Sequence, residues 1–279
     1  MAEWILFNNI EPHGLVPGCQ LASVKDLEWF EGVCKVTVHH TPGDINSQGT
    51  GFLFRFETAR QEEVKEIFGF LTCDHVLYYD VTNDEKKLAS PEEIFLDFEG
   101  GDHFEKLSDI RETGSEPLRS LQNDIYFMQF SDAFRSDLER RNAHFFRGMG
   151  LNNEQHVIIP QYPGGQRSLA YAMFANTWIP DQRHTFTLHN VSTQCGSSGS
   201  PLLQVHMGER GVIGMHHGLW TGTAQNVATP IAYITQVLND LLQGRAPISP
   251  LPSKHVSIGF GSDAGMIPIS ILSASHPNS

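Results

Sequence analysis

The run Cys195-Gly196-Ser197-Ser198-Gly199-Ser200-Pro201-Leu202-Leu203 constrains this chain more than any other stretch. It sets a serine in a tight, glycine-flanked turn that enters an apolar strand. Small neighbours expose the hydroxyl and let backbone N–H groups converge, the geometry that nucleophilic acyl transfer uses to stabilise a developing oxyanion. Gly-Ser turns are also ordinary loop punctuation. Taken alone, the turn reads equally well as a hairpin loop, and only a base and an orienting acid elsewhere in the chain decide for chemistry.

Both occur upstream. The segment Phe68-Gly69-Phe70-Leu71-Thr72-Cys73-Asp74-His75-Val76-Leu77 reads as an apolar strand whose end delivers His75. Asn123-Asp124-Ile125-Tyr126-Phe127-Met128-Gln129-Phe130 reads as a second strand, opened by Asp124. The rival acids Asp97, Asp102 and Asp109 precede no comparably apolar strand. Asp74 adjoins the histidine, but neighbouring strand residues face opposite ways, so it is not expected to orient His75. Singly, His75 is a strand-end histidine and Asp124 a turn cap. Together with Ser198 they run in the order His, Asp, Ser.

That order and these segments resemble the chymotrypsin-like (trypsin-like) serine peptidase family. Thr72-Cys73-Asp74-His75 is similar to the family's Thr-Ala-Ala-His, with cysteine in place of the first alanine. Asn123-Asp124-Ile125 is similar to its Asp-Ile-Ala-Leu, and Gly196–Pro201 to its Gly-Asp-Ser-Gly-Gly-Pro. The resemblance spans residues 33–243. It implies an all-β fold of two antiparallel β-barrels with a C-terminal helix and the site between the barrels. Residues 1–32 would form an N-terminal strap, 33–148 the first barrel with His75 and Asp124, and 149–244 the second barrel and C-terminal helix with Ser198. Residues 245–279 would be a Pro/Ser/Gly-rich tail, with a docked strand at 266–271.

The resemblance also implies roles. Ser198 would be the nucleophile, His75 the general base and Asp124 its orienting acid, with the N–H groups of Gly196 and Ser198 as the oxyanion hole. Cys195 precedes the oxyanion glycine and borders the cleft rather than attacking. Ser197 stands where pancreatic-type members carry an aspartate that pairs with a newly cut amino terminus, so activity without such processing is expected. The strand Val212–Gly218 is similar to the Gly-Met-His or Gly-Ile-His strand of picornaviral cysteine peptidases and bacterial glutamyl endopeptidases. By that likeness Gly214, His216 and Thr193 would line a pocket for Gln or Glu, a cationic His216 favouring Glu. The alternative is an apolar pocket with Ser192 at its base, where trypsins carry aspartate; no Arg/Lys preference is expected.

Composition narrows the setting. A formal charge of −13 over 279 residues opposes non-specific nucleic-acid binding. No apolar run reaches the roughly 20 residues of a membrane span, so no membrane partner is expected, only a protein or peptide substrate. Met1-Ala2-Glu3-Trp4 lacks the pattern of a secretory signal, and Cys19, Cys34, Cys73 and Cys195 suggest no disulfide framework; a reducing, cytoplasmic setting is expected. No CxxC or HxxxH spacing occurs, so neither metal nor cofactor is expected. The adjacent pairs His39-His40 and His216-His217 face opposite sides of their strands and do not chelate together. The competing function is a catalytically idle protease fold used as a binding module. A Gly-x-Ser-x-Gly esterase is excluded by the spacing around Ser198.

Overall fold

In the computed structural model the described residues are 19–21, 24–40, 47–60, 63–82, 85–98, 104–151, 156–172, 175–181, 184–189, 191, 193–206, 208–220, 225–246 and 258–259. Ser192, Asp102 and the strand expected at 266–271 lie outside them. Among the described residues no helix is long and apolar enough to cross a membrane.

Period-two patterning builds the first sheet. Along Ser47–Arg60, Phe52, Phe54, Phe56 and Thr58 are buried, while Arg55 and Glu57 reach outward. Such alternation is what a strand with one covered face requires. This strand forms a long hairpin with Glu63–Thr72, in register from Phe52↔Leu71 to Arg60↔Glu63. The whole seven-stranded antiparallel sheet runs Glu105–Lys106, Ile94–Asp97, Val33–Val38, Ser47–Arg60, Glu63–Thr72, Ile125–Gln129, Leu118–Ser120. Phenylalanines fill it: Phe52, Phe54, Phe70 and Phe127 are fully buried, and Phe56 meets Phe127 edge to face.

The second, nine-stranded sheet runs Cys19–Leu21, Ser168–Ala172, Val157–Gln161, Pro201–His206, Glu209–Trp220, Gln225–Pro230, His184–His189, Ala175–Asp181, with Ile258–Gly259 added alongside Glu209–Trp220. Both sheets curl into half-barrels of antiparallel strands, as the resemblance implied. Ser168–Ala172 and Ala175–Asp181 are two separate strands of this sheet. The hairpin Tyr78–Thr82 with Glu85–Leu88 was not expected. Cys19–Leu21 pairs with Ser168–Ala170 of the second sheet, so the strap reaches past the first barrel.

Two helices close the structure. Asp132–Arg140 starts at Ser131, whose Oγ accepts the Phe134 N–H at 3.3 Å, and buries Phe134 and Leu138. It stops before Asn142, which takes a left-handed φ of 58°. The following segment joins both sheets, with Phe146 bridging Phe54 and Gly148 bridging Val212. The C-terminal helix Ile231–Leu242 buries Ile231, Ile234, Val237 and Leu238 along one face. Its end is a Schellman turn: Gly244, at φ 68°, donates to the Leu241 carbonyl, and Arg245 N–H to that of Asp240.

One buried side chain stitches the two sheets together. Thr50, in the first sheet, donates its hydroxyl to the Gly196 carbonyl at 2.8 Å and accepts the Tyr162 N–H at 3.0 Å. Its own N–H donates to the Ser198 carbonyl at 2.9 Å. Thr50→Val keeps the shape but leaves a buried acceptor and a buried donor unpaired, each at a cost of about 1–3 kcal/mol. Denaturant unfolding is expected to show a loss within that combined range; a stability equal to that of the parent would show that Thr50 does not couple the sheets.

Candidate active site

Strand Glu63–Thr72 ends at Cys73, and His75 sits in the tight 3-10 turn Asp74–Leu77 rather than at a strand end. Asp124 likewise does not open a strand. It caps the turn Leu121–Asn123 in the left-handed conformation, φ 53° and ψ 46°, which aspartate tolerates better than most residues. Tyr233 of the C-terminal helix holds this turn by donating to Asn123 Oδ1 at 3.1 Å.

The two turns meet at the Asp124 carboxylate. His75 N–H donates to Oδ1 at 2.8 Å, and His75 Nδ1 lies 2.6 Å from Oδ2. This double grip fixes both the turn and the ring, and it places the donated proton on Nδ1, leaving Nε2 as the acceptor. Asp74 goes elsewhere, as expected: it is fully buried and receives Arg119, whose Nη2 lies 3.1 Å from its Oδ2. The physical reason is the turn rather than strand alternation.

A second imidazole shares Asp124, and sequence reasoning missed it. His217 Nδ1 lies 2.8 Å from Oδ2 of the same carboxylate, and its Nε2 meets the Thr229 hydroxyl. The signal was present: if His216 faces one side of its strand, His217 faces the other, toward the first sheet. Burial alone would raise the Asp124 pKa, but the positive potential of His75 and the hydrogen bonds from both rings overcome it. The carboxyl is held well below the usual range and stays ionised.

The Ser198 turn is shaped by its glycines. Gly196 has φ 94° and Gly199 φ 86°, and a Cβ on Gly199 would lie 2.0 Å from the Thr50 carbonyl oxygen. Ser198 Oγ donates to the main-chain carbonyl of His217 at 3.1 Å. Asp124 and Ser198 are thus joined through one residue, His217, whose ring meets the carboxylate and whose carbonyl meets the hydroxyl. Ser197 is buried, and its Oγ accepts the Gln194 N–H at 3.0 Å. Cys195 is exposed beside the turn.

The residues expected to line a specificity pocket divide. His216 is buried, with Nδ1 3.2 Å from His189 Nε2. Thr193 donates to Asn226 Oδ1 at 3.0 Å. Gly214 lies inside the sheet, where a Cβ would stand 2.9 Å from the Thr229 carbonyl oxygen, so close packing accounts for it. Burial lowers the pKa of His189 to about 3. Burial, with the charges of His189, His217 and His75, holds His216 well below its ordinary value. The expectation of a cationic His216 is corrected: the ring is neutral, because the closed sheet desolvates it.

No family model and no curated protein sequence matches this chain. Among solved structures, a serine endoprotease from Yersinia pestis is similar at a TM-score of 0.52 and 16% identity, covering 81% of this chain and 70% of that one. A Glu endopeptidase has a TM-score of 0.48 at 12% identity, covering 81% and 97%. The serine protease domain of the Sesbania mosaic virus polyprotein has a TM-score of 0.47 at 16% identity, covering 78% and 96%. The likeness to the Yersinia structure establishes the chymotrypsin-like fold.

The buried histidines give stability a definite pH dependence. Folded His189 titrates near 3 and His216 also below the ordinary 6.5, so between these values only the unfolded chain takes up their protons. Stability therefore rises with pH across that window and falls on acidification through it, by about 1.4 kcal/mol per pH unit for each fully coupled group. Asp124, also lowered, contributes stability above the ordinary carboxylate pKa and loses it as pH falls through and below that value. Denaturant unfolding between pH 6.5 and 5 is expected to show the fall, and His189→Gln a shallower one; parallel profiles would mean that His189 is solvated.

Proposed function

We propose that this chain is a serine endopeptidase using His75, Asp124 and Ser198. One observation carries the reading: the Asp124 carboxylate grips His75 at both its N–H and its Nδ1, and His217, whose ring meets the same carboxylate, accepts the Ser198 hydroxyl at its carbonyl. Ser198 Oγ attacks the scissile carbonyl while His75 Nε2 takes its proton. Asp124, ionised throughout, holds the Nδ1–H tautomer and stabilises the imidazolium that forms. His75 then returns the proton to the leaving amine, and water repeats the sequence on the acyl-enzyme. The N–H groups of Gly196 and Ser198 serve the oxyanion, which the left-handed Gly196 allows. Ser197, buried and hydrogen-bonded to Gln194, supports a turn formed without a new amino terminus. The buried thiols of Cys34 and Cys73, neither of them in a disulfide, support a reducing, intracellular setting.

Ser198→Ala and His75→Ala are expected to abolish turnover of peptide substrates and, for Ser198→Ala, labelling by a fluorophosphonate. Asp124→Asn is expected to lower turnover by about 10⁴-fold through loss of the tautomer. The unprocessed chain should react. A folded protein that neither labels nor cleaves would replace this reading with the idle binding module.

The finer reading is a preference for Gln or Glu before the scissile bond. Support comes from His216, fixed by His189, and from Thr193, fixed by Asn226. A neutral His216 acts by hydrogen bonding, so Gln and Glu are accepted alike. In a peptide-library profile His216→Ala is expected to reduce the preference by roughly 10- to 100-fold, the cost of unpaired polar groups. A profile dominated by Phe, Leu or Tyr and indifferent to His216→Ala would establish the apolar pocket.

A further inference from the structure

The cluster around Asp124 holds more donors than acyl transfer uses. Cys73 Sγ, a nitrogen of His75 and a carboxylate oxygen of Asp124 all lie within 4.8 Å of one another. His217 Nδ1 lies 3.7 Å from Cys73 Sγ and 2.8 Å from Asp124 Oδ2. The thiol is fully buried and donates weakly to the His216 carbonyl at 3.3 Å. Alanine stands at the matching place in the segment this one resembles, so the proposed mechanism has no need of sulfur there. We propose that Cys73, His75, Asp124 and His217 form a site for one zinc-type divalent cation, and that filling it switches off the base.

The donor set is that of zinc or cadmium: one thiolate, two imidazoles and one carboxylate, with no cluster of hard oxygens to favour magnesium or calcium. In a tetrahedral zinc site, bonds of about 2.0–2.3 Å put ligand atoms roughly 3.3–3.7 Å apart. The Cys73–His217 separation of 3.7 Å already fits. The hydrogen-bonded contacts of 2.6 and 2.8 Å at Asp124 open by less than about 1 Å. Thiolate and carboxylate together neutralise the ion, which lets it be buried. A divalent cation bound at the Cys73 sulfur displaces the thiol proton.

The proton balance gives the consequence. Binding forms a metal–sulfur bond and releases the Cys73 thiol proton to solvent. At each imidazole the metal takes the Nδ1 lone pair, and the ring proton moves to Nε2. His217 then donates from Nε2 to the Thr229 oxygen. His75, with its proton on Nε2, has no lone pair left to accept the Ser198 proton. The inhibition rests on the peptidase reading; the binding does not.

The test uses the full chain carrying Cys195→Ser, which removes the exposed thiol. Calorimetric titration with Zn²⁺ is expected to give one ion per chain, and Cd²⁺ a thiolate-to-cadmium absorption band. Cys73→Ala and His217→Ala should each weaken binding at least about tenfold. Cys73→Ala should also lose the band, yet keep peptidase activity that zinc no longer inhibits. Absence of the band in the parent, or undiminished zinc affinity in Cys73→Ala, overturns the site. Binding with the band but with activity unchanged by zinc overturns the switch. A parent that binds the ion and never cleaves peptides leaves the site standing and overturns the peptidase reading instead.

Discussion

Thr50 is the residue on which the arrangement of the site depends. Its N–H, hydroxyl and carbonyl are all committed: to the Ser198 carbonyl, to the Gly196 carbonyl and Tyr162 N–H, and to the hydroxyl of Thr72. The first two hold the serine turn and the third holds the strand that ends in the His75 turn. The spacing between the two halves of the site is therefore set by hydrogen bonds in a dry interface, where a buried polar group without a partner is costly. Gly199 completes the fit, since any side chain there would collide with the Thr50 carbonyl.

Asp124 supplies the electrostatic counterpart. A carboxylate this secluded would ordinarily take up a proton. It remains charged because two imidazoles and a main-chain N–H surround it, and each gains from the charge as much as it gives. The left-handed backbone at Asp124 belongs to the same design. It turns the carboxylate away from the strand Ile125–Gln129 and onto the His75 turn. His217 then links Asp124 and Ser198, by its ring on one side and its carbonyl on the other.

Much of this was legible in the sequence. The strands beside His75 and Asp124 announced themselves through the apolar runs that became Glu63–Thr72 and Ile125–Gln129. His75, Asp124 and Ser198 were singled out because each lies next to an apolar segment and they fall in a recognisable order. His217 was not found, because a histidine one residue past a recognised motif looks like padding until the opposing sheet is in place. The end of the helix after Ser131 was not legible either: Asn142 turns left-handed there and Phe146 pairs with Phe54 of the first sheet.

By itself the sequence determined which segments near the site are strands, which turns need glycine, and which residues carry a hydroxyl, an imidazole or a carboxylate, because these follow from local sterics and side-chain chemistry. Tertiary structure alone decided which of them meet. Cys73, His75, Asp124 and His217 come from three distant stretches, with no spacing that marks a cluster, and only the closure of one sheet on the other brings them together. It also decided charge: burial against His189 makes His216 neutral, and the same enclosure keeps Asp124 ionised because its partners are enclosed with it. Solvent exclusion is a property of the packed sheets, and the order of residues along the chain does not carry it.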